Sequence, residues 1–272
     1  MKKNIFVLTS LMLTLGCGCD SFLDETNYSD VTSEGGYYDT EAGLNAVVNA
    51  CYTPLRFWAG KEDAIGLSET GTDIIAAGSG CVDNNMAAYT QSLDGTNSAC
   101  TFYFDRFYAA INWCNTAIFH AQTVPNPSND EILATTLNKR EAEARVLRTF
   151  YYWILTETFG DTYYTDQPST SIVMNPVKTS TDNIYQYMFD DLDWAIKSKL
   201  STLQNDGGRV TIWTAKALKA RLLLTRASEK NDVDMYGQAY DLAKDVIENG
   251  PFELAEDFAS IWDMKNSDGN SN

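Results

Sequence analysis

The chain has 272 residues, 44% of them apolar, and its 37 acidic against 20 basic side chains give a formal charge of −17. Phosphate repels such a chain, which excludes recognition of nucleic acid or anionic headgroups by charge. The apolar share is enough for a sizeable core.

Lys2 and Lys3 open the chain, an apolar stretch runs from Ile5 to Leu15, and small residues lead into Gly16-Cys17-Gly18-Cys19. That is the order of a secretory signal, and the stretch is shorter than the ~20 residues a membrane-spanning helix needs. A cysteine here is similar to a bacterial lipobox, whose thiol is acylated and becomes the first mature residue. Residues 1–18 are therefore expected to be a lipoprotein signal peptide. The alternative is an ordinary cleaved signal with an incidental cysteine. Glycine precedes both Cys17 and Cys19, so spacing does not choose between them. Loss of Lys2 and Lys3 brings the charge to −19. Electrostatics cannot then hold the protein to a membrane, whereas acyl chains, at about 0.8 kcal/mol per buried methylene, could.

Residues 19–38 are polar and turn-rich, a tether ahead of a helical domain over 39–272. Within 40–57, Leu44, Val47, Val48, Cys51, Tyr52 and Leu55 recur at three and four residues, one face of a helix. A second helix is predicted from Phe104 to His120 through Phe107, Ile111, Cys114 and Ile118. Between them, 58–103 reads as a loop of about 45 residues. Loops of this length are functional or disordered, and its apolar content predicts folding against the helices. Cys51 and Cys114 are expected in the core. Export permits a disulfide between Cys81 and Cys100, and their positions leave it undecided.

Ser128 and Glu131 have capping-box spacing ahead of a helix whose stripe is Leu147, Phe150, Tyr151, Ile154 and Thr158. Arg140, Glu141, Arg145 and Arg148 are expected off that stripe, and Gly160 ends it. Another helix is predicted over 181–200, with Asp190, Asp191 and Asp193 on a solvated acidic face. Thr211 is a candidate cap for a helix through Trp213, Ala217, Ala220, Leu223 and Leu224. The last helix, about 235–249, carries Tyr236, Ala239, Tyr240, Ala243, Val246 and Ile247, and Gly250-Pro251 stops it.

The expected fold class is all-α: helices in pairs, as in a tetratricopeptide-like helical-repeat solenoid with long inserted loops. Trp213, Ala217 and Ala220 keep the small-residue spacing of a repeat's first helix, and Ala239, Ala243 and Val246 that of its second. Catalysis has little to stand on. His120 is the only histidine and is expected at a helix end as a surface or capping residue. There is no glycine-rich phosphate loop, nucleophile elbow or zinc-ligand set, so no enzyme, metal or cofactor is expected.

Four segments then fall in one order: Cys19-Asp20-Ser21-Phe22-Leu23-Asp24; Ala144 to Tyr152 ending in Phe159-Gly160-Asp161; Gly208-Arg209-Val210-Thr211; and Val246 to Gly250 followed by Phe252, Leu254, Phe258 and Ile261-Trp262. Together they resemble the SusD/RagB family of nutrient-binding outer-membrane lipoproteins, and the first favours Cys19 for lipidation, with Cys17 the alternative. Family members run about twice this length, so the resemblance is to an amino-terminal half, with the carboxyl-terminal half expected to be missing. Thr162-Tyr163-Tyr164-Thr165 departs from the apolar stretch usual after Asp161.

The resemblance implies a cell-surface glycan-binding protein, lipid-anchored in the outer membrane, that serves a SusC-type TonB-dependent transporter. It implies a site partly in the long loop, where Asp73, Tyr89, Asn97 and Phe102 are the ligand-binding candidates. Phe102 and Tyr103 have an alternative role as the start of the next helix, packed inward. Trp58, Trp113, Trp153, Trp194, Trp213 and Trp262 are expected in core or repeat interfaces. The competing reading is a protein-interaction module that docks to an outer-membrane partner without binding a ligand itself.

Overall fold

Helix forms wherever the apolar spacing predicts it, and most departures lie at the ends, where capping decides. The computed structural model describes residues 37–59, 62–76, 78, 84–126, 128–198, 200 and 208–263. The expectations for the signal, Cys17, Cys19, most of the tether and Cys81 lie outside the described residues.

α1 (Glu41–Tyr52) starts at Thr40, whose hydroxyl accepts from Gly43 N, and buries Leu44, Val47, Val48 and Cys51. It does not run to 57. Pro54 has no N–H and crowds the carbonyl four residues back, so the chain turns there and resumes as α2 (Leu55–Ala59). The segment read as one loop holds two short helices, α3 (Glu62–Ser68) and α4 (Asn84–Ala88). It also ends early, because α5 (Ser98–Thr123) begins six residues before Phe104. The reason is Asn97, whose side-chain oxygen accepts from Ala99 N at 2.9 Å and Cys100 N at 3.3 Å, supplying a start that apolar spacing does not show.

α6 (Glu131–Phe159) is capped by Asp130, not Ser128. The carboxylate accepts from Ile132 N and Leu133 N, and its charge also suits the positive end of the helix dipole. Gly160, at φ 70°, closes it, a conformation glycine adopts without penalty. A small antiparallel hairpin, β1 (Thr162–Tyr163) with β2 (Lys178–Thr179), adds two strands to an otherwise helical fold. α7 (Thr181–Lys197) follows Ser180, and α8 (Ile212–Lys230) starts at Thr211 with a reciprocal cap from Thr214. α9 (Val233–Asn249) is capped by Asp232.

Each of the longer helices packs mainly on its neighbour in sequence: α5 on α6, α6 on α7, α7 on α8 and α8 on α9, with α1 laid across α5 and α6. That is a helical-repeat arrangement, and it sets burial. α6 is covered on several sides and buries 14 of its 29 residues, among them Glu141, Glu143 and Arg148. The expectation that its charged residues lie off the packed face fails for Glu141 and Arg148, while Arg140 and Arg145 stay partly exposed. Asp191 on α7 is likewise buried rather than solvated. α9 is the opposite case. It packs on α8, buries only Ala239, and leaves Tyr240 and Ile247 64% and 77% exposed.

His120 is 2% exposed, not a surface residue. Its Nδ1 lies 2.9 Å from Asp39 Oδ1 and its ring 5.4 Å from that of Tyr38, joining α5 to the turn at 37–39. Cys51 and Cys114 are fully buried as expected. Of the tryptophans, Trp213 is buried and Trp58, Trp153 and Trp194 are half-buried, but Trp113 and Trp262 are exposed. Trp262 lies beyond the last helix pair, where nothing described covers it.

The 37–39 turn sits so close to α1 that only glycine fits at 43. A Cβ there would lie 1.8 Å from the Tyr37 carbonyl oxygen and 2.9 Å from Tyr38 Cα. Gly43→Ala is expected to lift the turn away, break the His120–Asp39 contact and cost about 1–3 kcal/mol. Urea denaturation measures it; an unchanged midpoint would mean the turn contributes nothing to stability.

Candidate functional site

The four loop candidates do not converge. Asp73 is exposed. Tyr89 is 73% exposed, at φ 48°, with its hydroxyl donating to Gly71 O at 3.4 Å. Gly71, at φ 93°, has no room for a Cβ beneath that ring. Asn97 is spent on capping: besides its two N–H contacts, its amide nitrogen donates to Ser92 O at 3.3 Å. Phe102 is half-buried, edge-on to Phe57 and Tyr103, with the Arg106 guanidinium 5.0 Å over its ring. Asp73 and Tyr89 thus remain open to a ligand, while Asn97 and Phe102 mainly build the fold.

A cleft forms where the start of α5 meets the end of α6 and the hairpin. It encloses about 410 Å³ and is lined by Cys100, Thr101 and Phe104 of α5, by Phe159, and by Thr162, Tyr163, Pro176 and Lys178 of the hairpin; Gly95 and Asp161 complete it. That volume suits a small ligand. Antiparallel packing of α5 on α6 brings Phe104 and Phe159 together, edge to face at 5.5 Å, and Phe104 keeps 39% of its surface exposed.

The hairpin wall is fixed from behind. Tyr108 donates its hydroxyl proton to Tyr163 O and meets the Thr162 hydroxyl at 2.7 Å, and burial raises its pKa. Tyr152 OH donates to Thr165 O at 2.9 Å and accepts from Thr165 N at 2.8 Å. Asn115 Nδ2 donates to Thr165 O and Gln167 O, and Asn112 Oδ1 accepts from Ser169 N. Tyr164 stacks on Tyr187 at 4.3 Å, and burial pushes its hydroxyl up to about 12.

Behind this frame lies a charged network. Arg148 donates to both oxygens of Asp191 at 2.8 Å and to Asn115 Oδ1 at 2.8 Å, and Arg145 bridges Asp191 to Glu141. Burial works against the charge on Arg148, but the Asp191 carboxylate outweighs it and holds the guanidinium above its ordinary pKa. At the cleft, the backbone and hydroxyl of Thr181 donate to Asp161 Oδ1 and lower that carboxyl, with Lys178 adding to the effect.

The chemistry on offer is that of holding: aromatic faces, an aliphatic ring, one ammonium and one carboxylate. Among the described residues, no group of three His, Cys, Asp or Glu side chains could hold a metal ion. No described helix is long and apolar enough to cross a membrane. The cleft's parts are visible in the sequence, but their assembly is not. Phe159-Gly160-Asp161 and Thr162 to Thr165 stood out as segments, but their apposition to Phe104 depends on how α5 and α6 cross.

Comparison with known proteins gives a consistent relationship. A family model described as starch-binding and associating with the outer membrane, SusD-like, matches residues 72–272. A SusD-like protein of Bacteroides ovatus is 26% identical, the match covering 98% of this chain and 48% of the relative. A surface glycan-binding protein A from Bacteroides fluxus shares the fold with a TM-score of 0.67 at 22% identity, over 84% of this chain and 48% of its own. A further structure, crystallised with a xylogluco-oligosaccharide, has a TM-score of 0.67 at 23% identity, over 84% of this chain and 44% of its own. This chain spans about half the length of the curated relatives it matches.

Proposed function

We propose, because this chain belongs to the SusD-like family of starch-binding proteins that associate with the outer membrane, that it binds a glycan at the cell surface and delivers it to a SusC-type TonB-dependent transporter. An acylated Cys19 holds it to the outer membrane, outward-facing, in this reading. The single observation that carries it is the aromatic cleft: the partly exposed Phe104 lies beside Phe159 and a hairpin wall hydrogen-bonded to Tyr108, with Asn115 and Tyr152 bonded to the segment that follows its first strand. Sugar rings offer weakly apolar faces that stack on aromatic side chains, and preorganised walls bind without paying to order themselves.

The test is affinity electrophoresis and calorimetry with a polysaccharide panel, using protein that begins at residue 20. Binding to at least one polysaccharide is expected, weakened about tenfold by Phe104→Ala, since a stacked ring contributes about 0.5–1.5 kcal/mol beyond its buried area. No binding across the panel would overturn the reading.

The interaction-module alternative draws on a different observation, the open face of α8 and α9 with Leu224, Tyr236 and Tyr240 exposed around Arg221. Purification from native membranes separates the two. Retention of a transporter without any glycan binding would favour the alternative.

A further inference from the structure

Few side-chain polar atoms in the cleft are free to donate to a ligand. The Thr101 hydroxyl donates to Asn97 O, the Thr162 hydroxyl is engaged with Tyr108, and Asp161 Oδ1 accepts from both the amide and the hydroxyl of Thr181. Apart from Cys100, the side-chain polar atoms not used in these bonds are Lys178 Nζ, the Tyr163 hydroxyl and Asp161 Oδ2. The rest of the lining is apolar: Phe104, Phe159 and Pro176, with no side chain on Gly95. An unsubstituted sugar ring seated here would stack on Phe104 but find few side-chain partners for its hydroxyls, so it would bind only weakly. A planar apolar group with one carbonyl oxygen matches the lining better. Its ring would lie against the exposed part of Phe104, and its carbonyl oxygen would accept from Lys178, whose ammonium acts on Asp161 by charge but forms no ion pair within 4 Å among the described residues.

We propose that the cleft is selective for saccharides carrying an aromatic acyl ester, with the aryl group held by Phe104, Phe159 and Pro176 and the ester carbonyl on Lys178. This rests on the glycan-binding reading and narrows it to decorated glycans. About 410 Å³ accommodates an aryl ester together with part of the sugar that bears it. The Thr162 to Thr165 segment makes this possible, because the hydrogen bonds at 162–169 hold the hairpin wall that carries Pro176 and Lys178 against the two phenylalanines.

A matched pair of ligands tests it: a feruloylated arabinoxylo-oligosaccharide and the same preparation after alkaline removal of the ester. Calorimetry is expected to show the ester form binding at least tenfold tighter. Phe104→Ala should bring that ratio close to one, and Lys178→Met, which keeps the aliphatic stem, should reduce it severalfold. Methyl ferulate alone should compete with the ester form. Equal affinity for the two ligands, or a ratio unchanged in a Phe104→Ala protein that melts like the wild type, overturns the ester proposal and leaves glycan binding intact. Failure to bind either ligand while another polysaccharide binds also overturns it. Failure of every polysaccharide removes the underlying reading instead.

Discussion

Asp191→Ala is expected to be among the most damaging single substitutions in this chain, costing about 3–5 kcal/mol. Asp191 is 5% exposed and accepts from Arg148 through both oxygens and from Arg145 through one. Removing it leaves the Arg148 guanidinium, 3% exposed, charged and unneutralised between α5, α6 and α7. Against a total stability of about 5–15 kcal/mol for a typical domain, that is a large share. The Asp191→Leu, Arg148→Met double variant should recover much of the loss, since an apolar pair of similar volume avoids both desolvation penalties. Urea denaturation followed by circular dichroism reads both. A double variant no better than Asp191→Ala would mean that packing, rather than charge, dominates the site.

The second large effect is expected at Tyr152, which is 1% exposed and ties α6 to the hairpin wall through its two bonds to Thr165. Tyr152→Ala removes the ring as well as the bonds and should cost about 3–5 kcal/mol, the usual range for emptying a large aromatic site. Tyr152→Phe keeps the ring, which lies 5.0 Å from that of Tyr164, and should cost only about 1–3 kcal/mol for the polar groups left unpaired. The Phe variant is the more informative about function. Its amide hydrogen exchange should quicken at 164–169 while α5 and α6 stay protected, and ligand affinity should fall with the loosened wall. Unchanged exchange at Thr165 would show that Asn115 and Asn112 hold the segment by themselves.

Most helices were legible because a 3.6-residue apolar period is a local property: Leu44, Val48 and Cys51, or Ile184, Met188 and Leu192, announce a buried face wherever the chain lies. Thr211 was legible as a cap for the same reason. Helix starts at Asn97 and Asp130 were missed where apolar spacing or a competing Ser128 outweighed a side chain one or two residues from the first turn. Asn97, a ligand-binding candidate by sequence, caps α5 in the structure, and a polar residue in a glycine- and serine-rich stretch looks alike in either role.

What the sequence determined alone was the set of amphipathic helices, their order, and four ordered segments that place the chain in its family. Tertiary structure decided which polar side chains go inside. Arg148, Asp191, Glu141 and His120 are buried because α6 is enclosed by α1, α5 and α7, and the end of α5 is closed by the 37–39 turn. It also decided that Phe104 and Phe159, 55 positions apart along the chain, share one wall of a cleft. Periodicity reports how a helix faces a neighbour, whereas burial of charge and assembly of a site depend on how many neighbours there are and where they cross.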